Sequence, residues 1–364
     1  MNPHLYTPSG KPRARALPVP LDGIPGPNNA ITDVAGVSVG YSTLIAGEGP
    51  RIVGQGPVRT GVTAILPRPR ESLHVPCFAG SYSLNGNGEL TGLAWVEESG
   101  QLQWPITITN THSCGVARDA TIKWAKKNCP QAAYDWLLPV AGETCDAELN
   151  DIDGFHVTDA HVFEAIDTAA AGPIEQGSVG GGTGMICYDF KGGSGSSSRC
   201  VEIGGQSYTV GVFVQANFGI RRELRIAGIP AGKHMPGGEV RSKPAGSIIA
   251  VLATDAPLLP HQVKRLARRI PLGIARTGTI SHDGSGDIFV AFSTAEPVGE
   301  GVLASTPYLR NEHLDPLFEA TVLATEEAIV ESMIANATMT GCDGTTVYAL
   351  DHAVLQGLLA RGIF

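Results

Sequence analysis

The stretch SKPAGSIIAVLATD (242–255) decides how the chain is to be read. Ile248, Ile249, Ala250, Val251, Leu252 and Ala253 form an apolar run, bounded by Pro and Gly on one side and Asp255 on the other. A short apolar run between turn residues reads as a core strand. Ser247 is then the first residue of a rigid element, and Gly246 before it can adopt backbone angles closed to other residues. Two readings of Ser247 stand at this point: an ordinary strand start, or a nucleophile fixed at a strand end.

Other segments read the same way. GVTAIL (61–66), YTVGVFVQAN (208–217) and DIFVAFST (287–294) are rich in β-branched and aromatic residues and read as strands. Asp255 is placed to cap a helix over DAPLLPHQVKRLARR, whose basic residues collect at the C-terminal end, where the helix dipole favours them. Asp315-Pro316 opens a second helix with Leu317, Ala320, Ala324 and Ala328 on one face. A third starts near Asp351, packs Val354, Leu355, Leu358 and Leu359, and stops around Gly362. NGNG (85–88) suggests a hairpin between adjacent short strands. Strands and helices mix without strict alternation and without repeats, so layered sheets with helices outside them is the natural class.

The bulk numbers exclude several functions. The 364 residues carry a net charge of −9 and no basic tract, which argues against nucleic acid. No apolar run approaches the roughly 18 residues of a membrane span. The Pro-rich N-terminal stretch lacks the apolar core of a secretory signal, so a cytoplasmic location is expected. Seven cysteines without a CxxC fit reduced thiols better than a disulfide framework or a zinc site. His156 and His161, in HVTDAH, are not at a helical ligand spacing, and no HExxH occurs, so no metal is expected. GSVGGGTGM (177–185) lacks the GK[ST] ending of a phosphate loop, and the CYDF that follows looks like a strand. It reads as a structural turn with close backbone packing.

No G-x-S-x-G elbow is present, so a nucleophile here needs another means of activation. A cut between Gly246 and Ser247 would supply one. Ser247 would then carry a free α-amine, whose reference pKa of about 7.7–8.0 leaves a useful neutral fraction to take the hydroxyl proton. Asn217 ends the 208–217 strand, and its amide is a suitable oxyanion donor. Ser285 and Asp287 share one side of an extended segment. Taken singly, each of these is also an ordinary turn or satisfied polar residue.

With these residues in view, the chain resembles the self-cleaving L-aminopeptidase/D-esterase family, which includes the β-aminopeptidases. The resemblance spans nearly the whole chain. It is carried by NAITDVAGVSVGY (29–41), NGNGELTG (85–92), WVEESG (95–100), TNTHSCGVARDA (109–120), GSVGGGTGMICYDFKGG (177–193), VQANFG (214–219), GSIIAVLATDAPL (246–258) and GSGDIF (284–289). It implies an α+β fold, a four-layer αββα sandwich like that of the N-terminal-nucleophile hydrolases but with different strand connectivity. It further implies one domain over residues 1–364, cut into an α chain (1–246) and a β chain (247–364), with homotetramers of such αβ units.

The resemblance also implies roles. Ser247 matches the nucleophile and Asn217 an oxyanion donor. Ser285 and Asp287 match the pair around the nucleophile and its amine. Glu143, in GETCD, matches the carboxylate that takes the free amine of a small peptide, amide or ester, a charged hydrogen bond that selects unblocked N-termini. Cys145 departs from the pattern, standing where an aromatic residue, often an oxyanion-assisting tyrosine, is expected. A thiol is a weak donor, and one lost donor costs on the order of 10²–10³ in rate. No cofactor is implied. Two rivals remain: an ornithine acetyltransferase-like enzyme, whose nucleophile is typically threonine, and a non-catalytic binding protein with no reason to cut itself.

Overall fold

Alternate residues of the 248–253 run enter two different cores. Ile248, Ala250 and Leu252 pack with Val263, Leu266, Ile274 and Ala328, whereas Ile249, Val251 and Ala253 pack with Ile65, Ile106 and Ile108. A strand apolar on both faces must be covered on both, and here one cover is helical and the other is a second sheet.

The computed structural model describes residues 1–132, 136–241, 246–296, 302 and 305–362. Residues 242–245 lie outside them. The chain begins as an arm, then runs through β1 (Ser38–Ala46), β2 (Val58–Leu66), β3 (Cys77–Ser83), α1 (Leu93–Ser99), β4 (Gln101–Leu102) and β5 (Ile106–Asn110). Next come α2 (Cys114–Asn128), β6 (Ala141–Thr144), α3 (Asp159–Asp167) and a small hairpin, β7 (Ile186–Cys187) and β8 (Phe190–Lys191). The long strands β9 (Gly193–Ile203) and β10 (Gln206–Asn217) follow, then the single turn α4 (Ala231–His234) and β11 (Gly246–Thr254). The chain closes with α5 (Pro260–Ala267), α6 (Ile270–Arg276), β12 (Ser285–Ser293), α7 (Asp315–Ile334) and α8 (His352–Arg361).

One sheet has the order β1-β2-β5-β6 and the other β4-β3-β12-β11-β10-β9. Helices α2 and α3 cover the first through Trp124, Ala120, Val162 and Ile166. Helices α5, α6 and α7 cover the second, and the two sheets face each other through Phe213, Ile249, Val290 and Ile108. The αββα sandwich is the expected one. Two of its strand pairs are parallel, β5 with β6 and β11 with β12, and each is joined through helices.

Four local expectations are corrected. Asp255 caps nothing: its carboxylate accepts the Thr209 N–H at 2.7 Å, tying the end of β11 to β10, and the helix starts five residues later at Pro260. The NGNG segment is not a hairpin. Its neighbours bond the start of β12 instead, with Leu84 N–H on the Asp287 carbonyl and Asn87 N–H on the Ser285 carbonyl. CYDF is not one strand but the turn of the β7–β8 hairpin, with Tyr188 and Asp189 at φ +53° and +57°. The last helix is capped by Asp351 and ends at Gly362 as expected, but Val354 faces solvent while Leu355 and Leu358 are buried.

The glycine-rich 177–185 segment is packing. A Cβ on Gly181 would lie 2.2 Å from Gln215 Oε1, and one on Gly182 would lie 2.3 Å from Ser194 N. Behind the second sheet, Glu327 of α7 is fully buried and accepts from Arg15 (Nε 2.8 Å), Asn29 (2.7 Å) and Arg199 (2.6 Å). These bonds fasten the N-terminal arm and β9 to α7. Removing one partner of a buried pair strands the other charge, at about 3–5 kcal/mol. Glu327→Ala is therefore expected to lower the unfolding free energy measured by urea denaturation by that amount, far more than an exposed Glu319→Ala control.

Candidate active site

Hydrogen-bond register brings the expected residues together. The antiparallel β10–β11 pairing ends with Asn217 opposite Ser247, and the parallel β11–β12 pairing puts Ser247 beside Gly286. Ser247 thus sits at the end of a central strand, flanked on both sides. It keeps 8% of its surface, and its hydroxyl oxygen accepts the Gly286 N–H at 3.0 Å. Gly246 has φ +128°, and a Cβ there would lie 1.8 Å from the Asn217 carbonyl oxygen. Only glycine fits that position.

Side-chain alternation sorts the neighbours by face. Asn217 follows Phe213 and Ser247 precedes Ile249, both of which enter the inter-sheet core, so their side chains share that face. Ser285 and Asp287 alternate with Phe289 and Ala291 and lie on the helix-side face. They do form a pair, Ser285 Oγ donating to Asp287 Oδ1 at 2.6 Å, but across the strand from the Ser247 hydroxyl. Burial pushes the Asp287 carboxyl up, against hydrogen bonds from Ser285, Ser281 and the Ile248 N–H.

The Asn217 amide is fully determined by its partners. Its oxygen accepts from the Ile186 N–H and from Arg241 Nη2, both at 2.8 Å. Its nitrogen donates one hydrogen to the Cys145 carbonyl at 2.8 Å and keeps a second. Cys145 therefore enters through its backbone, and its thiol is exposed.

Glu143 ends β6. One of its oxygens accepts the Glu89 N–H at 2.8 Å, and the other accepts the Thr111 hydroxyl. Burial holds its carboxyl above the ordinary range despite these two donors. The NGNG loop joins it to the strands: a Cβ on Gly88 would lie 3.2 Å from Glu143 Oε1 and 3.3 Å from Gly286 Cα. A buried carboxylate with two neutral donors thus lies one backbone away from the Ser247 strand end.

The family model for peptidase family S58 matches residues 29–347. The chain belongs to peptidase family S58. It is a hydrolase, and it acts as an aminopeptidase. It is 52% identical over 370 residues to the β-peptidyl aminopeptidase BapA of Sphingosinicella microcystinivorans, covering 96% of this chain and 92% of that protein. The solved L-aminopeptidase D-Ala-esterase/amidase of Ochrobactrum anthropi, described as a prototype serine aminopeptidase with a variant of the Ntn-hydrolase fold, superposes with a TM-score of 0.91 at 48% identity. That match covers 97% of this chain and 99% of the other. The β-aminopeptidase of a Burkholderia species superposes with a TM-score of 0.87 at 43% identity, covering 96% and 99%.

The S58 site holds groups that sequence reasoning passed over. Arg241 and the Ile186 N–H fix Asn217, and the Gly286 N–H meets the Ser247 hydroxyl. Thr111 and the Glu89 N–H hold Glu143, and Asn85 Nδ2 reaches Asp287 at 3.4 Å. Asn85, Glu89 and Thr111 stand inside the motifs NGNGELTG and TNTHSCG, so a signal for them existed. Arg241 stands outside any. Among the described residues no His/Cys/Asp/Glu group could hold a metal ion.

Gly286 carries the NGNG loop, since a Cβ on it would lie 2.3 Å from the Asn87 carbonyl oxygen. Gly286→Ala must displace that loop, whose Glu89 N–H holds Glu143, and a displacement near 1 Å costs about 10²-fold. A loss of that order in kcat/KM on an aminoacyl p-nitroanilide is expected, with an unchanged far-ultraviolet circular dichroism spectrum.

Proposed function

We propose that Ser247 is the nucleophile of this aminopeptidase and that it is freed by self-cleavage of the Gly246–Ser247 bond. The observation that carries the reading is the position of Ser247: at the end of a central strand, opposite Asn217 and beside Gly286, with Glu143 one loop away. In the cut, the Ser247 hydroxyl adds to the Gly246 carbonyl carbon, the C–N bond breaks, and the peptide becomes an ester with a free amine on Ser247. Water then hydrolyses the ester, leaving a carboxylate on Gly246 and the hydroxyl restored. The crowding of Gly246 against the Asn217 carbonyl holds this peptide in a backbone conformation rare for other residues.

In turnover, the Ser247 amine takes the hydroxyl proton as the oxygen attacks the substrate carbonyl. The remaining Asn217 N–H donates to the oxyanion. The proton passes to the leaving amine, and water releases the acyl group. Ser285 and Asp287 act on the amine rather than the hydroxyl, since they lie on the other face of the strand. Glu143 binds the ammonium of the substrate, and Cys145 supplies its carbonyl to Asn217. The substrate class is a short peptide, amide or ester with a free amine, and the β-peptidyl relative supports β-amino acyl groups among them. The working unit is a homotetramer of αβ pairs.

Denaturing mass spectrometry of the wild type is expected to give fragments 1–246 and 247–364, with a native mass of four copies. Ser247→Ala should give one intact chain without hydrolytic activity. An uncut wild type with full activity overturns the proposal.

The raised Glu143 carboxyl adds a second acid limb to the pH profile, beside that of the Ser247 amine, which must be neutral to act as base. Ionised Glu143 binds the ammonium, so kcat/KM falls as the pH drops through its elevated pKa, above the usual value near 4.3. Glu143→Gln should lower kcat/KM by at least about 10²-fold and flatten that limb. If the profile is unchanged in the variant, its acid side belongs to the Ser247 amine or to Asp287, whose carboxyl is also raised, and not to Glu143.

A further inference from the structure

The oxyanion donor has a cationic holder. We infer that Arg241 is a positioning residue that orients and polarises the Asn217 amide, an inference that rests on Asn217 being the oxyanion donor.

An asparagine amide can present either its oxygen or its nitrogen, and only the nitrogen end stabilises an oxyanion. Which end faces the Ser247 side is set by the opposite end. There the Asn217 oxygen accepts from Arg241 Nη2 at 2.8 Å and from the Ile186 N–H at 2.8 Å. A flipped amide would turn its NH₂ toward a guanidinium, a donor against a donor. The Arg241 guanidinium is itself fixed on its other edge by Glu148, Nε to Oε1 at 2.8 Å, and its backbone N–H reaches Asp189 Oδ1 at 3.4 Å. Its Nη1 also lies 3.3 Å from the Ile186 carbonyl and 3.4 Å from the Asn217 carbonyl. The side chain is 5% exposed, so the charge acts in a poorly screened setting.

Two effects follow. The first is orientation: the guanidinium removes the unproductive amide flip. The second is polarisation. A charge-assisted bond to the amide oxygen draws electron density from the nitrogen, which makes its N–H a stronger donor to a developing negative charge. Lysine cannot reproduce the first fully, because its ammonium is a point donor without the planar fork that spans Asn217 and Glu148. Arg241 precedes the proposed cut and so stays on the same fragment as Asn217. Among its described contacts none is to the Ser247 hydroxyl, and its part in the reaction runs through Asn217.

The test is a double-mutant cycle on Arg241→Met and Asn217→Ala, with Arg241→Lys as the conservative variant. Rates are taken per cut chain, counted by mass spectrometry, on an aminoacyl p-nitroanilide. Arg241→Met is expected to lower kcat by about 10–100-fold, with KM within threefold or so of wild type. Arg241→Lys should fall between the two. The double variant should be no slower than Asn217→Ala alone, because a holder has nothing to hold once the amide is gone. Millimolar guanidinium should restore part of kcat to Arg241→Ala and none to Asn217→Ala. Arg241→Met within about twofold of wild type overturns the inference, as does a double variant in which the two losses multiply. Full activity in Asn217→Ala instead sinks the oxyanion reading, and the positioning role with it, so the two failures are told apart.

Discussion

The register of one strand carries the site. β11 is held between an antiparallel neighbour and a parallel one, so Ser247 has Asn217 on one side and Gly286 on the other. A one-residue slip would turn Ser247 to the opposite face and put an isoleucine in its place. The alternation of β11 between two apolar cores forbids that slip, because it would exchange the helix-facing and sheet-facing residues along the whole strand. Stability and catalytic geometry are thus set by the same constraint. The glycines at 246 and 286 complete it, each meeting a backbone carbonyl where any other residue would carry a Cβ.

The site is an arrangement of buried charge in want of a cation. Glu143 and Asp287 are both carboxyls raised by burial, and each is held by neutral donors rather than by an arginine or lysine. Such groups ionise at a cost that an arriving ammonium offsets. Arg241 is spent elsewhere: its charge is balanced by Glu148 and directed at an amide oxygen. Its charge reaches neither of the two raised carboxyls through a hydrogen bond among the described residues.

Much of this was legible along the chain. The 248–253 run, its bounding Gly246 and the small residue between them point to a core strand with a polar residue at its tip. The pairing of Ser285 with Asp287 follows from the period of two. The Asp351 to Gly362 helix is a local signal satisfied locally, whereas the helix at Asp315 begins where expected but with Leu314 at its N-cap and no side-chain cap. Asp255 failed as a cap because a tertiary donor, the Thr209 N–H, claimed its carboxylate first. NGNG failed as a hairpin because its loop bonds to a strand two hundred residues away. The link of Cys145 to Asn217 was equally hidden, since a backbone carbonyl has no identity in the sequence.

What the chain determined by itself is therefore the set of elements, the residue at the head of β11 and the chemistry available to it, because turn residues, apolar periodicity and side-chain type act over a few neighbours. Only the folded molecule decided which face each polar group uses, which carbonyl crowds Gly246, and that Arg241 holds the Asn217 amide. Those depend on sheet register and on contacts between distant segments, and a hydrogen bond is specified by the positions of both partners, not by the identity of either.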